Sequence, residues 1–547
     1  MKMPLRILIV ASIAASSAVL CFSYTKPRWP IGGYIKQSRW PVPGTIPILV
    51  NTSYPNRIQA GSQPFEAVRN MFERRSLHTT LRFSLSQGTF PESIGFDGTN
   101  LVTFKDTVEN RSAAFGFAAV AWFWWSLVDD EPVLVESDIV FGPTVPSSTT
   151  GAGGVDIESL GGHELTHFLS CDHSSVMAAV GFPTYFTEVP NERNLALDDL
   201  AAGNLLYPFP EIPSTTGALS GFVEKPGGAT VFGAHVVATR QADGAPVGDI
   251  SVTGGHWHIE GLPPGQYTLY VEPLDGPSEP SNTLLSGLYT SEPADVDFET
   301  TIAGGRTTPT VYTVLAGAET AIGTIVVSAP AGPLNLRRTG LPGVRVGASA
   351  VNMFQGSSGS LTILGPGVDN VPDNGVSVSG PGVTVSSAGV LRGYAGDPYM
   401  IVPVSIASDA EPGARTIFAD DGAHVAALTG SLEIHPWSPY PNLLRNDQIT
   451  SLTPITPGLG AIFPLDPTGP DNFLGTGEGV LREFHGSDDD DDLYAPQIES
   501  GFMDPDLDVV TDNARPLVFY QLDDPNRTLF LAKSSFGRIV VTYTDAP

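Results

Sequence analysis

The spacing of hydrophobic positions changes several times along these 547 residues, and the changes mark separate units. Residues 45–53 (TIPILVNTS) read as a strand. Phe65, Val68, Met71 and Phe72 then recur at helical spacing, which predicts an amphipathic helix over 62–75. Residues 81–86 alternate as a strand does, and 101–104 (LVTF) form another. Two apolar runs, 119–128 and 132–141, flank the acidic turn at Asp129-Asp130-Glu131 and predict two strands of one sheet. Alternation puts Trp122 and Trp124 on one face of the first run and Phe123 and Trp125 on the other. One face is read as core; the other is core too, or meets a substrate or a neighbouring domain. After a Ser/Thr/Gly loop (147–154), Asp156 is placed to cap a helix from Ile157 to about Leu169. A second helix, roughly Ala196 to Leu206, ends before Pro208. Past the loop 209–213 the texture becomes short β runs split by Gly and Pro, renewed after the break at 329–333 and again after Pro436. That texture predicts antiparallel sandwiches. The expected division is a leader (1–23), a first folded unit (24–212), sandwiches over 213–328 and 329–436, and an acidic β-rich unit over 437–547.

Composition supports strands and turns: there are 59 Gly and 48 Pro, and only 16% of residues are charged. The balance of 28 basic against 58 acidic residues, net −30, repels phosphate backbones and argues against a nucleic-acid partner. Lys2 and Arg6 precede an uncharged apolar run, Ile7 to Leu20, too short to span a bilayer. This predicts an export signal cleaved after Ser23 and an extracellular protein. Acylation at Cys21 is the rival, disfavoured by Leu20 at a position where lipoprotein signals carry a small residue. Cys21 and Cys171 are the only cysteines, so the mature chain has no disulfide framework.

The chemistry concentrates in residues 163–177, HELTHFLSCDHSSVM. His163 and His167 are four apart and share one helix face, where both imidazoles can grip one metal. Glu164 beside them can take a proton from a metal-bound water. His173 follows six residues after His167 and reaches the same ion if the chain turns sharply out of the helix. Three neutral imidazoles suit zinc and leave a fourth position for water.

These residues, with Met177, resemble the metzincin metallopeptidases, and most closely their matrixin group, whose pattern is H-E-x-x-H-x-x-G-x-x-H followed by a Met-turn. Residues 135–141, 156–167 and 197–208 are similar to the cleft strand, active-site helix and closing helix of that family, so the resemblance covers roughly 40–210. It implies a multi-domain chain: an α+β zincin (metzincin-like) catalytic domain followed by all-β sandwich domains. It implies one catalytic Zn2+ on His163, His167 and His173, Glu164 as general base, Met177 beneath the metal, and Tyr185 in a substrate pocket. The implied activity is that of a secreted zinc endopeptidase acting on proteins or peptides. Two departures stand out. Ser170 occupies the position of the family's turn glycine, where a left-handed non-Gly residue costs about 1–2 kcal/mol. With the leader removed, no cysteine is expected before the domain to mask the metal. The alternative reading is a surface adhesin or scaffold with a non-catalytic zincin domain.

Other signals are weaker. Cys171 reads as a buried small residue, with a redox-sensitive thiol or an alternative ligand as its rivals. His256 and His258 share a strand face without an evident third ligand and read as a surface pair. The run Asp488–Asp492 is a solvated loop or a Ca2+ site, and Asp504, Asp506 and Asp508 open like an EF-hand loop but lack its Gly and closing Glu. The segment from Gly217 resembles carboxypeptidase regulatory-like sandwiches, and 329–436 resembles bacterial immunoglobulin-type modules. Such modules imply a cell-surface or matrix ligand.

Overall fold

The computed structural model describes residues 28–31, 34–42, 44–149, 154–183, 193–210, 212–277, 293–330, 332–342 and 345–435, together with four strands beyond them. The leader with Cys21, the pocket candidate Tyr185 and the acidic runs at 488–492 and 504–508 lie outside the described residues.

The first unit opens with a hairpin of β1 (Arg28–Ile31) and β2 (Tyr34–Gln37). A five-stranded sheet follows, made of β3 (Thr45–Asn51), β4 (Arg82–Gly88), β5 (Leu101–Thr103), β6 (Ala119–Val128) and β7 (Glu131–Phe141) in the order β4-β3-β5-β7-β6. All neighbours are parallel except β6 and β7. Asp129 and Asp130 take φ of 52° and 62°, the left-handed pair that lets a two-residue turn match the twist of a hairpin. A bulge between Trp124 and Trp125 re-aims the end of β6. Phe123 and Trp125 pack against the main core, while Trp122 joins Ala114, Val120 and Val140 on the opposite face and Trp124 meets Phe96.

Helix α1 (Pro64–Leu77) starts on proline, whose missing N–H costs nothing there, and α2 (Val108–Ala114) is capped by the Thr107 side chain on Asn110 N. No apolar stripe announces α2 in the sequence, which hides it from a periodicity reading. Two short parallel strands, β8 (Ser147–Ser148) and β9 (Val155–Asp156), lead into α3 (Ile157–Phe168). Helix α4 (Leu197–Leu206) and the single turn α5 (Ile212–Thr215) close the unit. Phe72 and Phe168 meet edge to face in the core between α1, α3 and the sheet.

The second unit stacks two sheets. One joins β10 (Gly217–Glu224), β13 (His256–Leu262) and β17 (Glu319–Val326) in the order β13-β10-β17. The other has the order β12-β11-β14-β15, from β11 (His235–Arg240), β12 (Pro246–Ile250), β14 (Gly265–Glu272) and β15 (Thr301–Ile302), with β16 (Val311–Val314) also on β14. Trp257 and Tyr267 are buried between them. The third unit repeats the plan. β18 (Arg338–Leu341), β19 (Arg345–Gly347), β21 (Ser358–Leu364), β23 (Val383–Val385), β24 (Leu391–Ala395) and β25 (Asp397–Ile406) form one sheet. β20 (Val351–Phe354), β22 (Val376–Val378), β26 (Gly413–Asp420) and β27 (Val425–His435) form the other, in the order β20-β27-β26-β22. The last strands, β28 (Val480–Glu483), β29 (Leu517–Asp524), β30 (Arg527–Ser534) and β31 (Ile539–Asp545), pair antiparallel as β28-β31-β30-β29.

The fold class expected from the sequence is corrected by this inventory. The described chain is predominantly β, and its five α-helices, four to fourteen residues long, all lie between residues 64 and 215. The physical reason is in the composition: Gly, Pro and β-branched residues terminate or disfavour helices over most of the length.

Candidate metal centre

Helix α3 is held at its first turn by buried charge. Asp156 Oδ2 accepts from Ser159 N at 2.8 Å, which satisfies an N–H that has no partner within the helix. The same carboxylate receives the Arg193 guanidinium, and Arg193 also donates to Thr149 O at 2.8 Å. Glu158 pairs with Arg74 from α1. A Cβ at Gly161 would strike Met71 Sδ, so the glycine lets α1 and α3 approach closely.

The helix carries His163 and His167 on one face, and His173 joins them. The three ring centroids lie 4.8, 5.1 and 5.0 Å apart. The return is made at Ser170, whose φ of 64° is left-handed. Its hydroxyl meets that of Ser38, and the carbonyls ending the helix are taken by Trp40 Nε1 on Phe168 O and Tyr207 OH on Leu169 O, both at 2.9 Å. Among the described residues these histidines are the one group of three or more His, Cys, Asp or Glu side chains within reach of a single ion.

The tautomers decide what fits. His163 Nδ1 lies 2.8 Å from Val180 O and His167 Nδ1 lies 2.9 Å from Cys171 O. A carbonyl only accepts, so each Nδ1 carries the proton and each Nε2 presents a bare lone pair. Those Nε2 atoms are 3.2 Å apart, and His173 Nε2 is also 3.2 Å from His163 Nε2. Two lone pairs cannot bond to each other, whereas a tetrahedral zinc with ~2.0–2.1 Å bonds separates its nitrogens by about 3.3 Å. The donor set therefore fits a zinc ion.

Burial keeps His163 neutral, the form able to bind a metal, with its pKa lowered to about 4. It also pushes the Glu164 carboxyl up to about 8, against a backbone hydrogen bond from Ala121 on β6. Glu164 Oε2 is buried without a hydrogen-bond partner. Cys171 packs in the main core with its thiol pushed up to about 12 by burial, and its sulfur is not among the converging ligand atoms. Met177 is buried with Ala178 and Phe182 in the core of the third unit. His258 sits near Glu260 and Glu319 at 3.6 and 3.7 Å, while His256 is exposed.

Sequence reasoning did not single out the residues that shape the loop after His173. Asp199 accepts from Val180 N, Gly181 N and Ala196 N at 3.0, 3.2 and 2.8 Å. Asp198 accepts from Ser174 Oγ at 2.6 Å and from Gly248 N of the second unit at 2.9 Å. In the sequence the pair looks like ordinary acidic residues of a helix first turn. Asp199→Ala leaves two backbone donors of the buried loop and the N-cap N–H of α4 unmet, and frees the carbonyl that orients His163. The expected result is zinc affinity about 10–100-fold weaker, measured by chelator competition.

No family model matches the chain, and no curated protein matches it. Among solved structures, the chain is similar to the major pilin subunit BcpA of Bacillus cereus at 11% identity and a TM-score of 0.14, covering 40% of this chain and 69% of that one. It is similar to the Bacillus anthracis TIE protein at 9% identity and a TM-score of 0.14, covering 41% and 50%. Likeness to the titin domains z1z2 has 14% identity and a TM-score of 0.10 over 41% and 95%. At such TM-scores none of these fixes a fold or a function. The metzincin resemblance is corrected by the fold: the described residues are predominantly β rather than an α+β zincin followed by sandwiches, and no family model matches the chain. The expected assignment as a hydrolase and zinc endopeptidase is corrected with it. The three histidines and Glu164 are buried. No helix among the described residues is long and apolar enough to cross a membrane.

Proposed function

We propose that this chain is an exported surface or matrix scaffold of stacked β units, with one zinc ion locked into its first unit as a structural cross-link. The observation that carries the reading is closure. His163, Glu164, His167 and His173 are 5, 3, 2 and 5% exposed, and the loop that completes the centre is packed against another unit. Three imidazoles leave a fourth position for water, and the burial of all four side chains keeps that position from a large substrate. His163, His167 and His173 would hold the ion, which supplies a divalent charge tying helix to loop. The unpartnered Oε2 of Glu164 is the acceptor that a water on the fourth position would need. The basic and apolar leader and the net charge of −30 support an extracellular place and no nucleic-acid partner. The sandwiches would present their loops to a surface or matrix ligand.

The test is metal analysis of the purified mature protein, beside its ability to cut an unfolded protein, in wild type and Glu164→Gln. One zinc per chain with no cleavage by either is expected. Cleavage by the wild type that disappears in Glu164→Gln would overturn the scaffold reading.

A further inference from the structure

The loop that completes the metal centre belongs at the same time to the core of the third unit. Met177, Ala178 and Phe182 are buried with Leu336, Val351 and Leu432 of that sandwich. Met177 N donates to Thr429 O of β27 at 2.8 Å. The next residue, Gly430, has φ 69°, and a Cβ there would strike Val176 Cγ1 and crowd Met177 N and Ala178 N at 3.1 and 3.3 Å. So β27 lies directly on the loop. The loop starts one residue after His173, and its Val180 carbonyl is the acceptor that orients His163. Both ends of the contact are thus tied to ligands.

The surrounding junction is polar and incompletely filled. Tyr270 OH and Glu272 Oε1 of the second unit each meet the Thr429 hydroxyl at 2.6 Å. A cavity of about 30 Å³, lined by Ser175, Met177, Glu272, Asp275, Asn335 and Thr429 among others, sits where the three units meet. An interface of this kind, unlike a dry core, can separate as a body.

We propose that residues 174–182 form a clamp through which zinc occupancy and the seating of the third sandwich stabilise each other; this rests on reading the three histidines as a zinc site. With the ion bound, His173 and His163 hold both ends of the loop and present Val176–Ala178 to β27. With the ion removed, the loop loses those anchors and the third unit loses part of its footing. Linkage makes the effect reciprocal, so weakening the β27 contact weakens zinc binding by the same factor.

Two measurements on the full mature chain test this. The first is zinc affinity of wild type and Gly430→Val by competition with a chromophoric chelator. The variant is expected to bind about tenfold more weakly, within the usual range of coupling, and still to reach one zinc at saturation. Equal affinity overturns the clamp. The second needs no variant: hydrogen exchange of residues 425–435 in the wild type, before and after chelation. Exchange about tenfold faster without zinc, restored on adding zinc back, is expected; unchanged exchange overturns the clamp. A wild type that binds no zinc at all sinks the metal reading itself, a result distinct from zinc bound without coupling.

Discussion

His167→Ala is expected to abolish zinc binding and to bring the thermal stability of the protein down to that of the chelated wild type. Two imidazoles remain in the variant, and the helix end also loses the contact of His167 Nδ1 with Cys171 O at 2.9 Å. A ligand present at a thousand times its dissociation constant stabilises the folded state by about 4 kcal/mol, and that contribution vanishes with the site. The two Nε2 atoms 3.2 Å apart make the effect asymmetric. Without metal the wild type keeps facing lone pairs, so chelation costs it more than it costs the alanine variant. Elemental analysis and calorimetry with and without chelator check this. A variant that retains one zinc per chain, or a wild type whose melting temperature ignores chelation, would show that the triad is not the metal site.

Asp156→Ala is expected to be the most destabilising change in the first unit that touches no ligand. The carboxylate caps α3 through Ser159 N, and alanine at such a position costs about 0.5–2 kcal/mol. It is also the nearer carboxylate of Arg193, which is 4% exposed and keeps Glu158 at 3.6 Å, and removing one member of a buried pair costs up to about 3–5 kcal/mol. The two roles share one side chain, so the total falls short of a simple sum, at about 4–6 kcal/mol. Against a typical domain stability of ~5–15 kcal/mol, such a loss leaves the first unit marginal. Asp156→Asn keeps the cap and removes the charge, and should fall between alanine and wild type. Urea unfolding of the three proteins separates the contributions. A loss below about 1 kcal/mol for alanine would mean that Arg193 finds compensation elsewhere.

Much of the first unit is legible in local pattern. The period of Phe65, Val68, Met71 and Phe72 becomes α1, and Asp156 caps the helix that follows it. The runs on either side of Asp129 and Asp130 become a hairpin, because two left-handed residues suit such a turn. The spacing of His163, His167 and His173 demands a sharp return, and Ser170 makes it in the left-handed region without glycine. These features depend on neighbours within a few residues, so a sequence carries them.

The features that decide what the centre can do lie far apart along the chain. The closeness of Val176–Ala178 to Thr429 and Gly430, the seat of Met177 in a distant core, and the hold of Asp198 on Gly248 are products of packing between units. Periodicity has no term for such contacts, and a motif reports which side chains can share a metal but not whether a substrate can reach it. The sequence by itself determined the three converging histidines, the helix that carries two of them, the turn before the third and the β character of the long remainder. Only the tertiary structure decided that the cluster is closed and shared with the third sandwich, since burial and inter-unit hydrogen bonds exist only once the units have docked.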